Sequence, residues 1–408
     1  MRTLFTGGLI FDGTGSDPRP GDVVIEDGRI VDVGTGLDGD VAVDCSARTI
    51  LPGLFDCHVH LMVNGLDPIG VRRRPFSLAF YEAAQNMRAT LAVGITTVRE
   101  AGGSDLGVQE AQRRGLIPGP RMQIAITMLS QTGGHGDPWE ASGVSSPLFP
   151  PHPGRPSGIV DGPDEVRRKV RELIRAGANV IKVATSGGVA SPRDDPRHPH
   201  FRDAEVAVMV EEATAAGLAV MAHAQGSEGI KTAVRNGVRS IEHGIYLDDE
   251  AIDMMLERGT WLVPTLIAPR GVLEAAEAGV GISPTVVEKA KMVSQAHADS
   301  ARRAIAAGVR IAMGTDSGVT PHGRNLAELA LLVEAGMTPA RALHAATRSA
   351  AELMGLQDEL GTIEPGKRAD LVIVDGDALE VTTLADRVLQ VYQDGRLVVD
   401  NTVEKPES

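Results

Sequence analysis

The chain has 408 residues, 42% of them hydrophobic and 23% charged, the balance of a globular protein and not of a disordered one. Its 40 basic and 54 acidic residues leave a net charge of −14, which argues against a general binder of nucleic acid or anionic membranes. Two cysteines exclude a disulfide framework, 3% aromatics leave no platform for stacked bases, and neither a signal-peptide pattern nor a membrane-length apolar run is found, so a cytoplasmic protein is expected.

The first fifty residues break into short β-branched runs, Gly8–Phe11, Asp22–Glu26 and Arg29–Val33, divided by Gly-rich turns. Glu26-Asp27-Gly28-Arg29 has the form of a tight hairpin. From 54 to 360 the style changes. Eight apolar runs follow one another: Gly53–Asp56, Gly94–Arg99, Met122–Thr127, Val180–Ala184, Leu218–Ala222, Arg239–Glu242, Trp261–Pro264 and Val309–Gly314. Amphipathic stretches such as Asp164–Ala176, Asp203–Ala216, Thr285–Ala307 and Asn325–Ala335 separate them. Gly94, Gly177, Gly217, Gly237, Gly259 and Gly308 stand where helices must stop. The last fifty residues return to short strands, Ala369–Val374, Val388–Gln393 and Arg396–Val399, with a second Asp-Gly turn at 394–395.

Eight alternating units predict an α/β protein built on a (β/α)8 TIM barrel. A doubly wound open sheet is the runner-up, weakened because no Gly-x-Gly-x-x-Gly follows the first strand. The two termini are expected to form one discontinuous β-sandwich domain, 1–53 with 361–408, around a catalytic barrel at 54–360. Two independent β-caps are the alternative.

A barrel enzyme carries its chemistry at the C-terminal ends of its strands. The first run ends in Asp56-Cys57-His58-Val59-His60, whose two imidazoles point one way on an extended strand and can share a metal. Lys182 sits inside the β-branched fourth run, where an unpaired ammonium is costly. A carbamate, formed with carbon dioxide, would remove that cost; an ion pair with a nearby carboxylate would too. His223, His243 and Asp316 end the fifth, sixth and eighth runs. Each alone is ordinary, but together they occupy five strand ends of one register.

The order His-x-His, Lys, His, His, Asp resembles the binuclear-metal branch of the amidohydrolase superfamily. Leu51-Pro52-Gly53-Leu54-Phe55-Asp56, Ile241-Glu242-His243-Gly244, Gly314-Thr315-Asp316-Ser317 and the stretch from Gly361 to Leu371 carry the likeness across nearly the whole chain. Within it, three loops are similar to those of prolidase-like dipeptidases and N-acyl amino acid hydrolases: Ser130–Asp137, Thr185–Pro192 and Gly318–Gly323. The resemblance implies two divalent ions, zinc by default, with manganese or cobalt also suited to such ligands. It implies that His58, His60 and Asp316 hold the more buried ion, that His223 and His243 hold the more exposed one, and that carboxylated Lys182 bridges them. It implies hydrolysis of a small-molecule amide by hydroxide, with Asp316 moving the proton to the leaving amine. His135 and Tyr246 are expected to contact the substrate or its oxyanion, with Gly188 in the same loop set and His322 near a substrate carboxylate. A symmetric homo-oligomer is implied as well.

Arg99 could bind that carboxylate, although an ion pair with Glu100 or another acid is favoured. Glu242 is expected to orient a ligand, Cys57 to pack in the core, and His344 to be structural. His152, His198, His200 and His297 are read as surface residues. Other reactions on the same scaffold stay open: opening of a cyclic amide of the imidazolonepropionate type, or cleavage of an aryl amide or carbamate. Deamination is disfavoured, because mononuclear deaminases lack the bridging lysine. A non-catalytic assembly scaffold is the alternative of another class.

Overall fold

The structure is a computed structural model that describes residues 1–191, 193–279 and 281–403, with the side chains of Pro68, Ile69 and Arg72 also outside it. Pro192, at the end of one singled-out loop, and 404–408, at the end of the terminal segment, therefore lie outside the described residues.

The strands of the middle region are parallel and lie in two sheets. Leu54–Val59, Ile95–Glu100 and Arg121–Ile124 form one of three strands. Met128–Leu129, Val180–Ala184, Ala219–Ala224, Ser240–His243, Trp261–Val263 and Arg310–Ile311 form one of six, in sequence order. Each predicted run is present. The third differs: it is cut in two at Ile126, whose φ of 67° is a strained value for a β-branched residue. Thr127 N–H donates to Ala125 O at 2.8 Å, so a γ-turn reverses the chain there and ends the ladder. Backbone bonds run across both sheet edges. Asn179 N–H donates to Ile124 O (2.8 Å), Cys57 N–H to Met313 O (2.8 Å) and Asp316 N–H to His58 O (2.7 Å).

Helices alternate with these strands. Pro163–Arg175 starts with proline at its first position, where no intrahelical N–H is needed, and buries Val166, Lys169, Val170 and Leu173 along one stripe. The six predicted stop glycines all have positive φ, between 65° and 98°. The apolar faces of helices and strands share one large core.

Both termini meet in one eight-stranded sheet, joined where Arg48–Pro52 pairs antiparallel with Leu371–Asp375. Its two Asp-Gly hairpins have left-handed φ at both turn residues, 50° and 79° at Asp27-Gly28 and 49° and 73° at Asp394-Gly395. Phe5, Ile30, Ile50, Leu371 and Tyr392 belong to a separate apolar cluster inside this sheet. Phe5 meets the Tyr392 ring edge-on at 4.9 Å.

Candidate metal centre

The side chains at the parallel-strand ends converge. His58 Nε2 lies 3.4 Å and His60 Nε2 3.3 Å from the same Asp316 oxygen. Lys182 Nζ lies 3.4 Å from His58 Nε2. The His243 ring is 5.1 Å from that of His58, and the His223 ring 4.7 Å from that of His243. Their positions carry strain: His243 and Asp316 have φ of 72° and 59°. Left-handed backbone at a strand end turns the next side chain out of the alternating pattern, and such strain clusters at functional sites.

Each imidazole has one nitrogen committed to a partner behind it. His58 Nδ1 donates to Glu242 (2.8 Å), His60 Nδ1 to Gly102 O (2.7 Å) and His223 Nε2 to Gly187 O (3.1 Å), while His243 Nδ1 shares a hydrogen bond with the Thr265 hydroxyl (2.7 Å). A neutral imidazole has a single N–H, so where that N–H is spent on a carbonyl or carboxylate the opposite nitrogen of the neutral ring keeps a lone pair. Burial keeps three of the four neutral, holding His58 and His223 well below the usual histidine range and bringing His243 down to about 3. Burial also works against a charged His60, but the bond to Asp316 and its charge outweigh it and raise the value. Asp316 is pushed up by burial and pulled down further by His58, His60 and His243, so it stays an anion.

Lone-pair nitrogens and a carboxylate are the donor set of a divalent zinc-like ion. His58, His60 and Asp316 form such a group, their donor atoms all within 4.8 Å of one another. The spacings of 3.3 and 3.4 Å match the edge of a four-coordinate zinc shell, about 3.3 Å for bonds of about 2.0–2.1 Å. The residues fit the metal.

Lys182 is buried, and no carboxylate lies within ion-pair distance of it among the described residues. Burial pulls its ammonium down to about 8, against the attraction of Glu242 and Asp316. The ion pair weighed from the sequence is not formed.

The rest of the expected site divides. His135 stacks flat on His223, with ring centres 4.1 Å apart and planes at 13°. Its Nδ1 is 2.7 Å from Ser191 Oγ. A Cβ on Gly188 would enter the His135 ring, and the Gly188 N–H is bound to Asp194 (3.1 Å). Tyr246 is half-buried against the cluster of Val189 and Ile245, and its hydroxyl has no hydrogen-bond partner among the described residues. His322 donates from Nε2 to Val63 O (2.9 Å), which leaves its buried Nδ1 an acceptor, poorly suited to a carboxylate.

Arg99 turns inward. It donates to Cys57 O (2.8 Å), Ser240 Oγ (3.0 Å) and Glu242 (2.8 Å), so its partner is another acid, inside the barrel region and not at a rim. Glu242 thus bridges Arg99 and His58, as its expected orienting role requires. Cys57 packs with Phe55 and Val263, and His344 fastens to Gly13 O (2.9 Å). His198 is exposed, but His200 and His297 are buried, not superficial. His297 Nε2 reaches the carbonyls of Pro264 (2.7 Å) and His243 (3.0 Å), polar partners far away in sequence. His152 is half-buried beside Phe76 and Phe80. Asp56 was not anticipated; it accepts from Thr315 Oγ1 (2.6 Å), Asn325 (2.8 Å) and the His58 N–H (3.1 Å), tying the first and last strand ends together.

Comparison with known proteins agrees with this geometry. The amidohydrolase family model matches residues 49–398. An ochratoxinase of Aspergillus niger is 36% identical over 97% of this chain and 86% of its own length. A crystal structure of a Xaa-Pro dipeptidase with bound methionine is 35% identical, with a TM-score of 0.89 over 97% of this chain and 99% of the other. A prolidase complexed with N-methylphosphonate-L-proline is 35% identical, with a TM-score of 0.91 over 98% and 100%. The architecture is therefore of the TIM-barrel type. No described helix is long and apolar enough to cross a membrane. The chain belongs to the amidohydrolase family and is a hydrolytic enzyme.

Proposed function

We propose that this enzyme hydrolyses the amide bond of a dipeptide or N-acyl amino acid at a two-metal centre held by His58, His60, Lys182, His223, His243 and Asp316. One observation carries the reading: four imidazoles, three of them buried and kept neutral, each have one nitrogen committed to a partner and cluster with an anionic Asp316 and a buried lysine that has no ion-pair partner among the described residues. The Lys182 amine, neutral for a large share of the time near pH 8, would add carbon dioxide and release a proton. The resulting carbamate replaces an uncompensated cation by an anion with two donor oxygens. Two divalent ions, zinc by preference, would acidify a water toward neutral pH and polarise the scissile carbonyl.

The chain's own groups do the rest. Asp316 accepts the proton of the attacking water and returns it to the amine nitrogen that leaves. Tyr246, whose hydroxyl has no partner among the described residues, donates to the developing oxyanion. His135, held against His223, lines the substrate's path, and Gly188 makes room for it. His322 Nδ1 accepts from a substrate N–H. The names of the similar proteins, two of them peptidases acting at proline, support a carboxylate-bearing amide as the substrate class.

The two parallel sheets are read as one closed (β/α)8 barrel over 54–360, supported by the bonds at both sheet edges. The terminal sheet, 1–53 with 361–408, is read as a sandwich. Its two Asp-Gly turns belong to opposite ends of the strand order, yet a Cβ on Gly395 would lie 3.0 Å from Gly28.

The test is metal content together with turnover of a panel of dipeptides and N-acyl amino acids. Two ions per chain and saturable hydrolysis are expected. Metal-replete protein that cleaves no amide of either class would overturn the reading.

A further inference from the structure

The loop from Thr185 to Asp194 supplies acceptors to two site imidazoles: Gly187 O to His223 and Ser191 Oγ to His135. What gives this irregular loop its shape is a residue about a hundred positions away. Lys289, in the helix Pro284–Ala307, donates to Ser191 O (2.7 Å), Gly188 O (3.1 Å) and Asp194 O, and faces the Asp194 carboxylate at 3.2 Å. All four acceptors belong to one loop, and an ammonium has only three protons to share among them. Asp194 is itself buried and spends its oxygens within the loop, on Ser191 Oγ and the Gly188 N–H. The same helix packs Val286, Ala290 and Val293 in a cluster with Val189 of the loop. Loop and helix are thus fastened twice, by an apolar contact and by a half-buried cation.

We propose that Lys289 is a positioning residue of the reaction: by closing the Gly187–Asp194 loop around its ammonium it sets the orientation of His223 and His135, with no hydrogen bond to either. This rests on the reading of His223 as a metal ligand and His135 as a substrate contact. Without the lysine, Asp194 becomes a buried anion that has lost its ammonium partner, and the loop must open to hydrate it. Gly187 O then leaves His223, whose ring loses the acceptor that fixes its tautomer.

The experiment compares wild type with Lys289→Met, Lys289→Arg and Ser191→Ala. In Lys289→Met the affinity for one of two ions should fall by about 10–100-fold, the cost of losing an outer partner, while the other is held as in wild type. Lys289→Arg should recover part of it, and Ser191→Ala should keep both ions but raise KM more than it lowers kcat. In metal-free protein with labelled histidines, the slowly exchanging Nε2 proton of His223 should be present in wild type and lost in Lys289→Met. A plain staple would lower Tm but leave that proton, both affinities and KM unchanged, and would overturn the proposal. If Lys289→Met does not fold, Lys289→Gln takes its place and is read in the same way, and an unchanged KM in Ser191→Ala overturns the proposal. Wild-type protein without metal or amide turnover would refute the underlying reading instead, and the metal-free proton measurement would still decide the loop's role.

Discussion

Replacing Arg99 by methionine isolates the buried charge behind His58. Arg99 and Glu242 are at most 2% exposed and 2.8 Å apart, so the substitution leaves an interior carboxylate whose remaining hydrogen-bond partners among the described residues are Ser240 Oγ and His58 Nδ1. Breaking a buried pair on one side costs about 3–5 kcal/mol. An unfolding entropy of about 2.1 cal/mol/K per residue gives roughly 0.9 kcal/mol/K for 408 residues, so metal-free Arg99→Met should melt about 4–6 °C lower. The unbalanced Glu242 also changes the acceptor that orients His58, which should weaken metal binding by about 10–100-fold. The assay is a thermal melt in chelator, followed by metal titration against a competing dye. The double substitution Arg99→Met with Glu242→Gln removes the orphan charge and should be more stable than Arg99→Met alone. A single variant that melts with the wild type and binds metal equally well would refute the reasoning, as would a double variant less stable than the single.

Four other outcomes follow from the same structure. Lys182→Ala should lose most of its metal and nearly all turnover, measured by elemental analysis and steady-state kinetics; retention of both would remove the lysine from the centre. Asp316→Asn should keep some metal but lose about 10²–10⁴ in kcat as a proton carrier is removed, and near-normal turnover would contradict that role. Gly188→Ala should displace the His135 ring, raising KM at unchanged metal content, since its Cβ would occupy the ring's position. Glu328 bears on pH: it caps the amides of Leu266 (2.8 Å) and Ile267 (2.9 Å), and burial pushes its carboxyl up to about 8. Its folded value lies above the unfolded one of about 4.3, so between these pH values the unfolded chain holds fewer protons and stability falls as pH rises, by up to about 1.4 kcal/mol per pH unit. Glu328→Gln should flatten the fall of Tm from pH 5 to pH 8 relative to wild type; parallel curves would show that the carboxyl is ionised throughout.

The six proposed ligands were legible because five stand at or just past the end of an apolar run and Lys182 is a cation inside one, where periodicity and stop glycines already fix the register. The Asp-Gly hairpins were legible because their turn chemistry is local. Lys289 was not: among the charged residues of an amphipathic helix it looks solvated, and only the folded loop gives it acceptors. Arg99 and Glu242 lie 143 positions apart and lean toward each other across the interior, a pairing no spacing rule exposes. His297 and His200 looked superficial for a similar reason, since the surroundings that bury them are supplied by the fold. The cut at Ile126 was hidden because Met122–Thr127 has continuous strand propensity, and the γ-turn within it overrides that preference.

The sheet shared by the two ends of the chain has a consequence for biosynthesis. Arg48–Pro52 leaves the ribosome early, but its neighbour Leu371–Asp375 follows more than three hundred residues later. At about 5–20 residues per second, the early strand waits some fifteen seconds or more with an unsatisfied edge. During that interval the nascent protein is open to mispairing with other chains, and any truncation before residue 371 makes that exposure permanent.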